Sequence, residues 1–210
     1  MQSIPDTLTN ERVVVFIDYH NTLHALRRVG QQIDLVALRD YLAEGRHLIE
    51  TFLYIATHPL PERQMADRET LNHLQRHGFL IRSKMGQLLP NGRLKCDFDL
   101  EMALDVQEFT SRVHTHIVVL VTGDGDFTPL VERLRRQGIR VEVASVSGSI
   151  AASLRAMANG FVDLTRIGQE VENLLMPIAP PQNDETDDMD EAMAYDDLLP
   201  EPDAAVPLPA

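Results

Sequence analysis

Short apolar runs alternate with segments of helical pattern along this chain, and this alternation constrains the fold more than any other feature. The runs are rich in Val, Ile and Leu and are continuous, which is typical of strands covered on both faces. They span 13–17, 48–56, 79–83, 116–121, 139–144 and 161–164. Helices are predicted between them at 35–44, 61–77, 98–112, 129–137 and 150–159. The pattern predicts a three-layer α/β/α sandwich with a central, mainly parallel sheet.

Glycine and proline mark several ends of these elements. Gly78 and Gly138 stand where helix C-terminal caps belong. The sequence Pro90-Asn91-Gly92 predicts the tip of a hairpin between Leu88 and Leu94.

Acidic residues are concentrated at the end of the chain. Of the 32 Asp and Glu residues, ten lie in 176–210, which contains none of the 19 Lys and Arg residues. We interpret 1–10 as an N-terminal extension, 11–168 as one α/β domain, 169–176 as a short helix and 177–210 as an acidic, disordered tail. The remaining 22 acidic residues nearly balance the 19 basic ones, so the net charge of −13 does not exclude an RNA partner.

The composition also limits the cellular setting. Cys96 is the single cysteine, so no intrachain disulfide can form and thiolate-bound zinc is disfavoured. We find no leader pattern and no apolar stretch long enough to span a membrane. We therefore expect a cytoplasmic protein with no membrane partner.

Three aspartates directly follow predicted strands. Asp18 comes after VVVFI, and Asp124 and Asp126 come after IVVLVTG. Ligands of open α/β sheets bind beyond the carboxyl ends of the strands, near the point where strand order reverses. If these two strands are neighbours, the three carboxylates meet at one crevice.

A fourth aspartate occupies an unusual position on a helix. At 100° per residue, one apolar stripe contains Phe98, Met102, Val106 and Phe109, and the polar face contains Glu101, Asp105 and Glu108. Asp99 projects on the apolar flank, where a carboxylate is costly unless it is paired or bound to a metal ion. Helix phase therefore favours Asp99 over the nearby Asp97 as a functional acid.

Together these acids predict a Mg²⁺ or Mn²⁺ site, because clustered carboxylates repel one another and hard cations prefer oxygen ligands. The expected ligands are Asp18, Asn21, Asp99, Asp124 and Asp126. Such a site could hydrolyse a phosphodiester by activating a water molecule. Each acid also has a structural alternative: a helix cap for Asp18, an Asx turn for the GDGD segment, and an ion pair with Lys95 for Asp99.

Three segments resemble the NYN domain of LabA-like (DUF88) proteins. They are DYHN after the first strand, KCDFDLEMALD on the middle helix and TGDGDFTPLVERLRRQGIRVEV, with GDGDF the most specific; SLRAMANGFVDL resembles the closing segment. The resemblance covers about residues 11–166. It implies a PIN-like fold and metal-dependent ribonuclease activity, with the family's acidic positions on Asp18, Asp99, Asp124 and Asp126. Asn21 accompanies the first acid, and Asp105 matches a commonly acidic helix position.

Further residues are candidates for substrate contact or for support of the acids. They are Asn21, Thr122, Asp105, Lys95, Arg93 and Ser147. Lys84 and the α-helical set Arg133, Arg135 and Arg136 are further phosphate-binding candidates, although basic residues on a helix are usually a solvated face. Ser145, Ser147 and Ser149 precede a helix start, where they either bind phosphate or simply cap the helix.

Other enzyme classes fit less well. A haloacid-dehalogenase phosphatase requires a second Asp where His20 stands, and no GxGxxG follows the first strand of a dinucleotide-binding domain. A metal-dependent adhesion site would need two serines after Asp18, and a receiver domain would need an acidic pair there. The remaining alternative is a regulator that binds single-stranded RNA or protein with little catalysis. Self-association, or a protein partner for the acidic tail, stays open.

Overall fold

The computed structural model describes residues 10–89, 94–171 and 173–178. The strands are β1 (Arg12–Asp18), β2 (Gln31–Ile33), β3 (His47–Thr57), β4 (Phe79–Met85), β5 (Gln87–Leu88), β6 (Leu94–Lys95), β7 (Ile117–Val121), β8 (Arg140–Ser145), β9 (Gly160–Asp163) and β10 (Leu175–Pro177). The helices are α1 (Tyr19–Arg27), α2 (Leu35–Ala43), α3 (Pro61–Arg76), α4 (Asp99–Arg112), α5 (Thr128–Arg136), α6 (Ala152–Met157) and α7 (Leu164–Glu170). A 3-10 turn, Gly125–Phe127, precedes α5.

The six strands β4-β3-β1-β7-β8-β9 form one sheet, and all of its strand pairs are parallel. Its central strand β1 is fully buried from Val13 to Ile17. Alternate residues of this strand face two separate cores. Val13, Val15 and Ile17 pack on the side of α1, α2, α3 and α7. Val14 and Phe16 pack on the side of α4, α5 and α6. The predicted three-layer α/β/α sandwich is confirmed.

Strand order reverses beside β1. From β1 the chain moves outward through β3 and β4, then returns to place β7 against the other side of β1. The two strands are therefore neighbours, which was the condition for the three carboxylates to meet, and Ile17 lies opposite Val121 in their register. Because the strands are parallel, Asp18 and the loop after Val121 emerge at the same edge of the sheet.

The predicted turns are partly visible. Gly78 and Gly138 follow α3 and α5 with φ of 84° and 82°, the left-handed conformation that a helix C-terminal glycine provides. Leu88 pairs with Leu94 across an antiparallel hairpin, as predicted. The tip of this hairpin, 90–93, lies outside the described residues, as do the N-terminal extension and the tail beyond Ile178.

Three elements differ from the sequence expectation. Helix α1 begins directly at the end of β1, where no helix was predicted. Strand β10 pairs antiparallel with β2 and takes the last two residues, 175–176, of the short helix predicted over 169–176, of which α7 includes only the first two. In that region the helix ends at Glu170, and Asn173 adopts a left-handed φ of 63°, which interrupts helical structure. Within the described part of the chain, none of the helices is both long and apolar enough to cross a membrane.

Candidate active site

Asp18 caps helix α1 and lies at the switch point, the edge of the sheet beside β1 where strand order reverses. Its Oδ1 accepts the backbone N–H of Asn21 at 3.1 Å, so the cap anticipated as a structural alternative is present. A carboxylate has two oxygens with several lone pairs, so capping does not prevent the same group from holding a cation. The cap fixes the half-buried side chain at the edge of the sheet.

The segment after β7 forms a tight acidic turn. Asp124 accepts the N–H of Asp126 at 2.9 Å, which is the anticipated Asx turn. Thr122 is fully buried, and its hydroxyl accepts the N–H of Asp124 at 3.2 Å. Asp124 is half-buried and Asp126 is exposed. These bonds fix the Asp124 side chain within the turn, where its charge acts on Asp18.

Helix α1 is tied to this turn by side chains of its first residues. The Asn21 Oδ1 accepts the N–H of Gly123 at 2.7 Å, and the Thr22 hydroxyl donates to the carbonyl of Val121 at 3.2 Å. Asn21 therefore holds the acidic turn in place relative to Asp18. Its amide oxygen, which was expected as a ligand, is used in this contact.

The glycine at the start of the turn is required by a second loop. A Cβ at Gly123 would lie 2.6 Å from the Ser149 carbonyl oxygen and 2.9 Å from the Ser145 Oγ. The loop after β8 also donates the N–H of Ala151 to the carbonyl of Gly123 at 2.8 Å. The acidic turn is thus clamped between α1 and the loop that leads to α6.

Asp99 stands at the first position of α4 beside a further acid. It is half-buried, as its helix phase predicted, and its N–H donates to the Asp97 Oδ1 at 2.9 Å. Asp97 is exposed, but its charge acts on both Asp99 and Asp18. Helix phase favoured Asp99 over Asp97 as the helical ligand, so Asp97 was not among the predicted site residues. The DFD spacing at a helix start is the signal that could have included it.

Burial and neighbouring carboxylates raise the pKa of two of the acids, Asp18 and Asp99. Burial, followed by the charges of Asp99, Asp124 and Asp97, raises the pKa of Asp18 to about 6 against the lowering effect of the Asn21 cap. Burial, followed by the charges of Asp97, Asp124 and Asp126, raises the pKa of Asp99 to about 6. The predicted acids therefore share one electrostatic neighbourhood. A cation there would relieve both the burial cost and the repulsion.

The acids do not converge on a single point. Among the described residues, no group of three or more His, Cys, Asp or Glu side chains is arranged to hold one metal ion. Like charges favour such separation. The donor chemistry of the predicted acids nevertheless fits Mg²⁺ or Mn²⁺, since Asp18, Asp99, Asp124 and Asp126 offer carboxylate oxygens.

Asp105 supports α4 away from the acid cluster. Its Oδ2 accepts the Tyr54 hydroxyl at 2.9 Å and the Arg82 Nε at 3.0 Å. Tyr54 is the register partner of Asp18 on β3, and Arg82 is the partner of Tyr54 on β4. Asp105 thus fastens α4 over the sheet, and through this contact it fixes the helix that begins at Asp99.

Of the basic residues near the hairpin that were predicted to bind phosphate, Lys84 is already paired. Lys84 forms an ion pair with Glu101 at 2.5 Å and lies over the ring of Phe98. Lys95 is exposed and does not pair with Asp99, so that alternative is not observed. Arg93 lies outside the described residues.

Ser147 lies in the loop after β8, and its hydroxyl already has hydrogen-bond partners. Its hydroxyl accepts from Arg155 at 3.2 Å. It also donates to Asp163 at the end of β9, and with Thr165 it holds the pKa of that carboxyl below its usual value despite the opposing effect of burial. These contacts favour a structural role in the loop over phosphate binding.

Asp99 and Asp126 line one cleft of about 460 Å³ between α4 and α5. The cleft connects two of the four predicted acids with the arginines of α5. It continues away from the switch point, so a ligand bound there would contact both the acids and the basic helix.

The sequence model of the NYN domain matches residues 12–165. The chain is 28% identical over 174 residues to the low amplitude and bright protein LabA of Synechococcus elongatus, a match that covers 79% of this chain and 90% of that protein. It is 24% identical over 161 residues to the uncharacterized protein MJ0482 of Methanocaldococcus jannaschii, covering 77% of this chain and 57% of the relative.

A protein of unknown function from Vibrio parahaemolyticus, VPA0982, has a similar crystal structure. The TM-score is 0.64 at 25% identity, covering 84% of this chain and all of that one. The parallel sheet, the acids at its switch point and the matched residues agree with a PIN-like, nuclease-like domain. The chain belongs to the NYN domain family.

Proposed function

We propose that this protein is a metal-dependent ribonuclease whose reaction takes place at the switch point. One observation carries this proposal: at the ligand-binding edge of the sheet, burial and the charges of neighbouring acids, Asp124 among them, raise the pKa of Asp18 and of Asp99. Such an arrangement costs free energy in the free protein, so it is expected where a cation supplies the missing positive charge.

The residues proposed to hold the cation are Asp18, Asp99, Asp124 and Asp126. A bound Mg²⁺ or Mn²⁺ would supply an activated water and neutralise charge on the phosphate. Thr122 and Asn21 fix the turn that carries Asp124, and Asp105 fixes the helix that carries Asp99. Hydrolysis in this arrangement needs no covalent nucleophile, and we expect products with a 5′-phosphate and a 3′-hydroxyl.

RNA is the proposed substrate for two reasons. Family membership favours a nucleic-acid ligand. In addition, the charge of the domain is nearly balanced outside the acidic tail, so local basic residues can attract a phosphate backbone. Single-stranded RNA is the favoured form, because an open cleft beside the acids admits one strand. We further propose a cytoplasmic setting.

A second candidate is a regulator that binds RNA or a protein and cleaves slowly or not at all. The separation of the carboxylates favours it, because no three acids of the described chain stand ready to share one ion. The two candidates differ in one respect. The enzyme requires the acids to close around a cation, whereas the regulator does not.

Incubation of the purified protein with end-labelled single-stranded RNA separates these candidates. The enzyme predicts cleavage in Mn²⁺ or Mg²⁺, none in EDTA, and loss of cleavage in the Asp99→Asn, Asp124→Asn variant. The matched control is Asp34→Asn, Asp40→Asn, which removes two carboxylates from the region of α2, where Asp34 caps the helix and Asp40 is exposed. RNA binding without cleavage in any metal would favour the regulator.

A further inference from the structure

The cleft between α4 and α5 contains more than the two acids at its mouth. Its walls come from α4, the 3-10 turn and α5, and no described strand contributes to it. The lining residues are Asp99, Ala103, Leu104, Gln107, Asp126, Phe127, Pro129, Leu130, Glu132, Arg133 and Arg136. Its volume of about 460 Å³ lies within the range of about 300–1,000 Å³ typical of small-molecule sites.

The middle of the cleft is apolar and open. Ala103 and Leu104 face Pro129 and Leu130 across it, and Phe127 forms its buried floor. Leu104 is 59% exposed, so this wall of the cleft presents apolar surface to solvent. A flat, apolar ligand would cover this surface, as a nucleobase does when it stacks in a protein slot.

Gln107 adds a polar group to the same wall. Its Nε2 is inaccessible to solvent and has no hydrogen-bond partner in the part of the chain that the structure describes. An unsatisfied buried amide costs free energy, so a rotation toward an acceptor in the cleft is favourable. The edges of nucleobases present such acceptors, and the amide of Gln can donate to one and accept from another group of the same edge.

The two ends of the cleft have opposite charge. Asp99 and Asp126 lie at the switch-point end, and Arg133 and Arg136 lie farther along α5. The Arg133 guanidinium makes no hydrogen bond or ion pair with any described residue, while Arg136 pairs with Glu132 one turn before it. Asp126 and Arg133 are seven residues apart, about 10 Å along a helical rise. This separation is comparable to the span of one nucleotide with its two flanking phosphates.

We infer that this cleft binds one nucleotide of the RNA strand next to the phosphate that is cleaved. The base lies between α4 and α5, where Gln107 contacts its edge, and Arg133 and Arg136 bind the next phosphate along the strand. This inference rests on the proposed nuclease function and adds to it a place where base preference originates. Lys84 and Ser147, which are engaged elsewhere, have no part in it.

The arginines are tested by binding measurements that do not depend on cleavage. All proteins carry Asp124→Asn so that a fluorescein-labelled 12-nucleotide RNA of random sequence remains intact, and anisotropy is recorded in Mg²⁺ and in EDTA over a range of salt. Arg133→Ala, Arg136→Ala should lower affinity about tenfold or more and reduce the slope of log K against log salt by about 0.7, the contribution of the single phosphate that the two arginines bind together.

A matched control keeps the change of charge constant. Arg112 and Arg166 are exposed to 74% and 79% and form the same i,i+4 ion pairs as Arg136, which is 77% exposed, but neither lines the cleft. The double variant Arg112→Ala, Arg166→Ala should leave both affinity and salt slope unchanged. Equal losses in the two double variants would overturn the assignment of the phosphate to the cleft.

Gln107 is tested by the sequence preference of cleavage. Sequencing the new 5′ ends from a random RNA pool should show a preference at one position beside the cut, and Gln107→Leu should flatten it while the total rate changes less. Gln75→Leu on α3, outside the cleft, is the control. A wild-type protein that cleaves RNA in Mn²⁺, with preference and salt slope unchanged in all these variants, would remove the cleft from the mechanism and leave the nuclease intact.

The remaining outcomes are also decisive. If the wild-type protein never cleaves RNA, the proposed function fails, and the anisotropy comparison still decides whether the cleft binds nucleic acid. Sedimentation tests a protein occupant. A dimer that Leu104→Ser abolishes, with RNA affinity unchanged by the arginine variants, would assign this wall to a second copy of the chain and overturn the inference.

Discussion

Replacing Asp18 by Asn should stabilise the metal-free protein. The pKa of Asp18 rises from 3.8 to about 6 through burial and the neighbouring charges. At about 1.4 kcal/mol per pKa unit, the ionised form costs the fold about 3 kcal/mol relative to the unfolded chain. Because part of this cost is shared with Asp99 and Asp124, and because Asn must also be buried, we expect a gain of about 2 kcal/mol. Asn retains the cap on α1, since it is as good a capping residue as Asp.

The pH dependence follows from the sign of this shift. Since the folded state binds the Asp18 proton more tightly than the unfolded state, stability is fully present below about pH 4 and decreases as the pH rises through about 6. The variant has no such pH dependence at this position, because Asn does not ionise. The two proteins should therefore be equally stable at pH 4, and the variant should be more stable at pH 7 and above.

Thermal and urea unfolding in EDTA at pH 4 to 8 measure this difference. At neutral pH the variant should melt about 4–8 °C higher, because about 2–4 °C corresponds to 1 kcal/mol in a domain of this size. Asp163→Asn is the control. It also replaces a helix-capping carboxylate, but contacts from Ser147 and Thr165 outweigh burial and lower its pKa, so that variant should be less stable at pH 7.

Addition of millimolar Mg²⁺ or Mn²⁺ should reverse the order of Asp18→Asn and the wild-type protein. A cation that binds the folded state adds RT ln(1 + [L]/Kd) to stability, and the variant has lost one ligand. An Asp18→Asn protein that is less stable than wild type in EDTA at pH 8 would refute the claim that the site stores electrostatic repulsion.

Two further predictions concern the supports of the site. Gly123→Ala should destabilise the fold by about 1–3 kcal/mol, because the new Cβ must displace the Ser149 carbonyl and the Ser145 hydroxyl. A melting temperature equal to that of the wild type would show that the loop after β8 does not hold the acidic turn in place. Tyr54→Phe should cost about 1–3 kcal/mol by leaving Asp105 with one partner fewer, and it should lower the cleavage rate through the position of α4. Unchanged urea unfolding would show that this bond is not stabilising.

The sheet was predictable from the sequence because its strands are buried on both faces. Continuous apolar runs such as 13–17 and 117–121 have no alternative location in a domain of this size. Whether these two strands lie side by side stayed open in the sequence, where a site shared by Asp18 and Asp124 was only conditional on it. The order of the strands around β1 meets that condition.

Helix α1 and strands β2 and β10 were missed for physical reasons. The helix begins without a loop after Asp18, and its Asn, His and Thr residues have weak helix propensity. Strands β2 and β10 have three residues each and pair only with one another. Such short strands depend on a tertiary contact between segments about 140 residues apart, and no local pattern encodes it.

For the site, the sequence located residues but not their contacts. Helix phase correctly placed Asp99 on a half-buried flank, yet it gave no reason to include Asp97, whose role depends on the turn before the helix. Asp105 was predicted to contact substrate or to support the acids, but its bonds to Tyr54 and Arg82 were not foreseen. Side-chain pairing across strands is set by register, which the sequence alone did not fix.

Cleavage of labelled single-stranded RNA by the Asp124→Asn variant, compared with wild type in saturating Mn²⁺, tests the central claim most directly. The variant should fold normally by circular dichroism and cleave at least about a hundredfold more slowly, since it lacks one of the proposed metal-binding carboxylates. Equal cleavage rates for a correctly folded Asp124→Asn protein and the wild type would contradict the account.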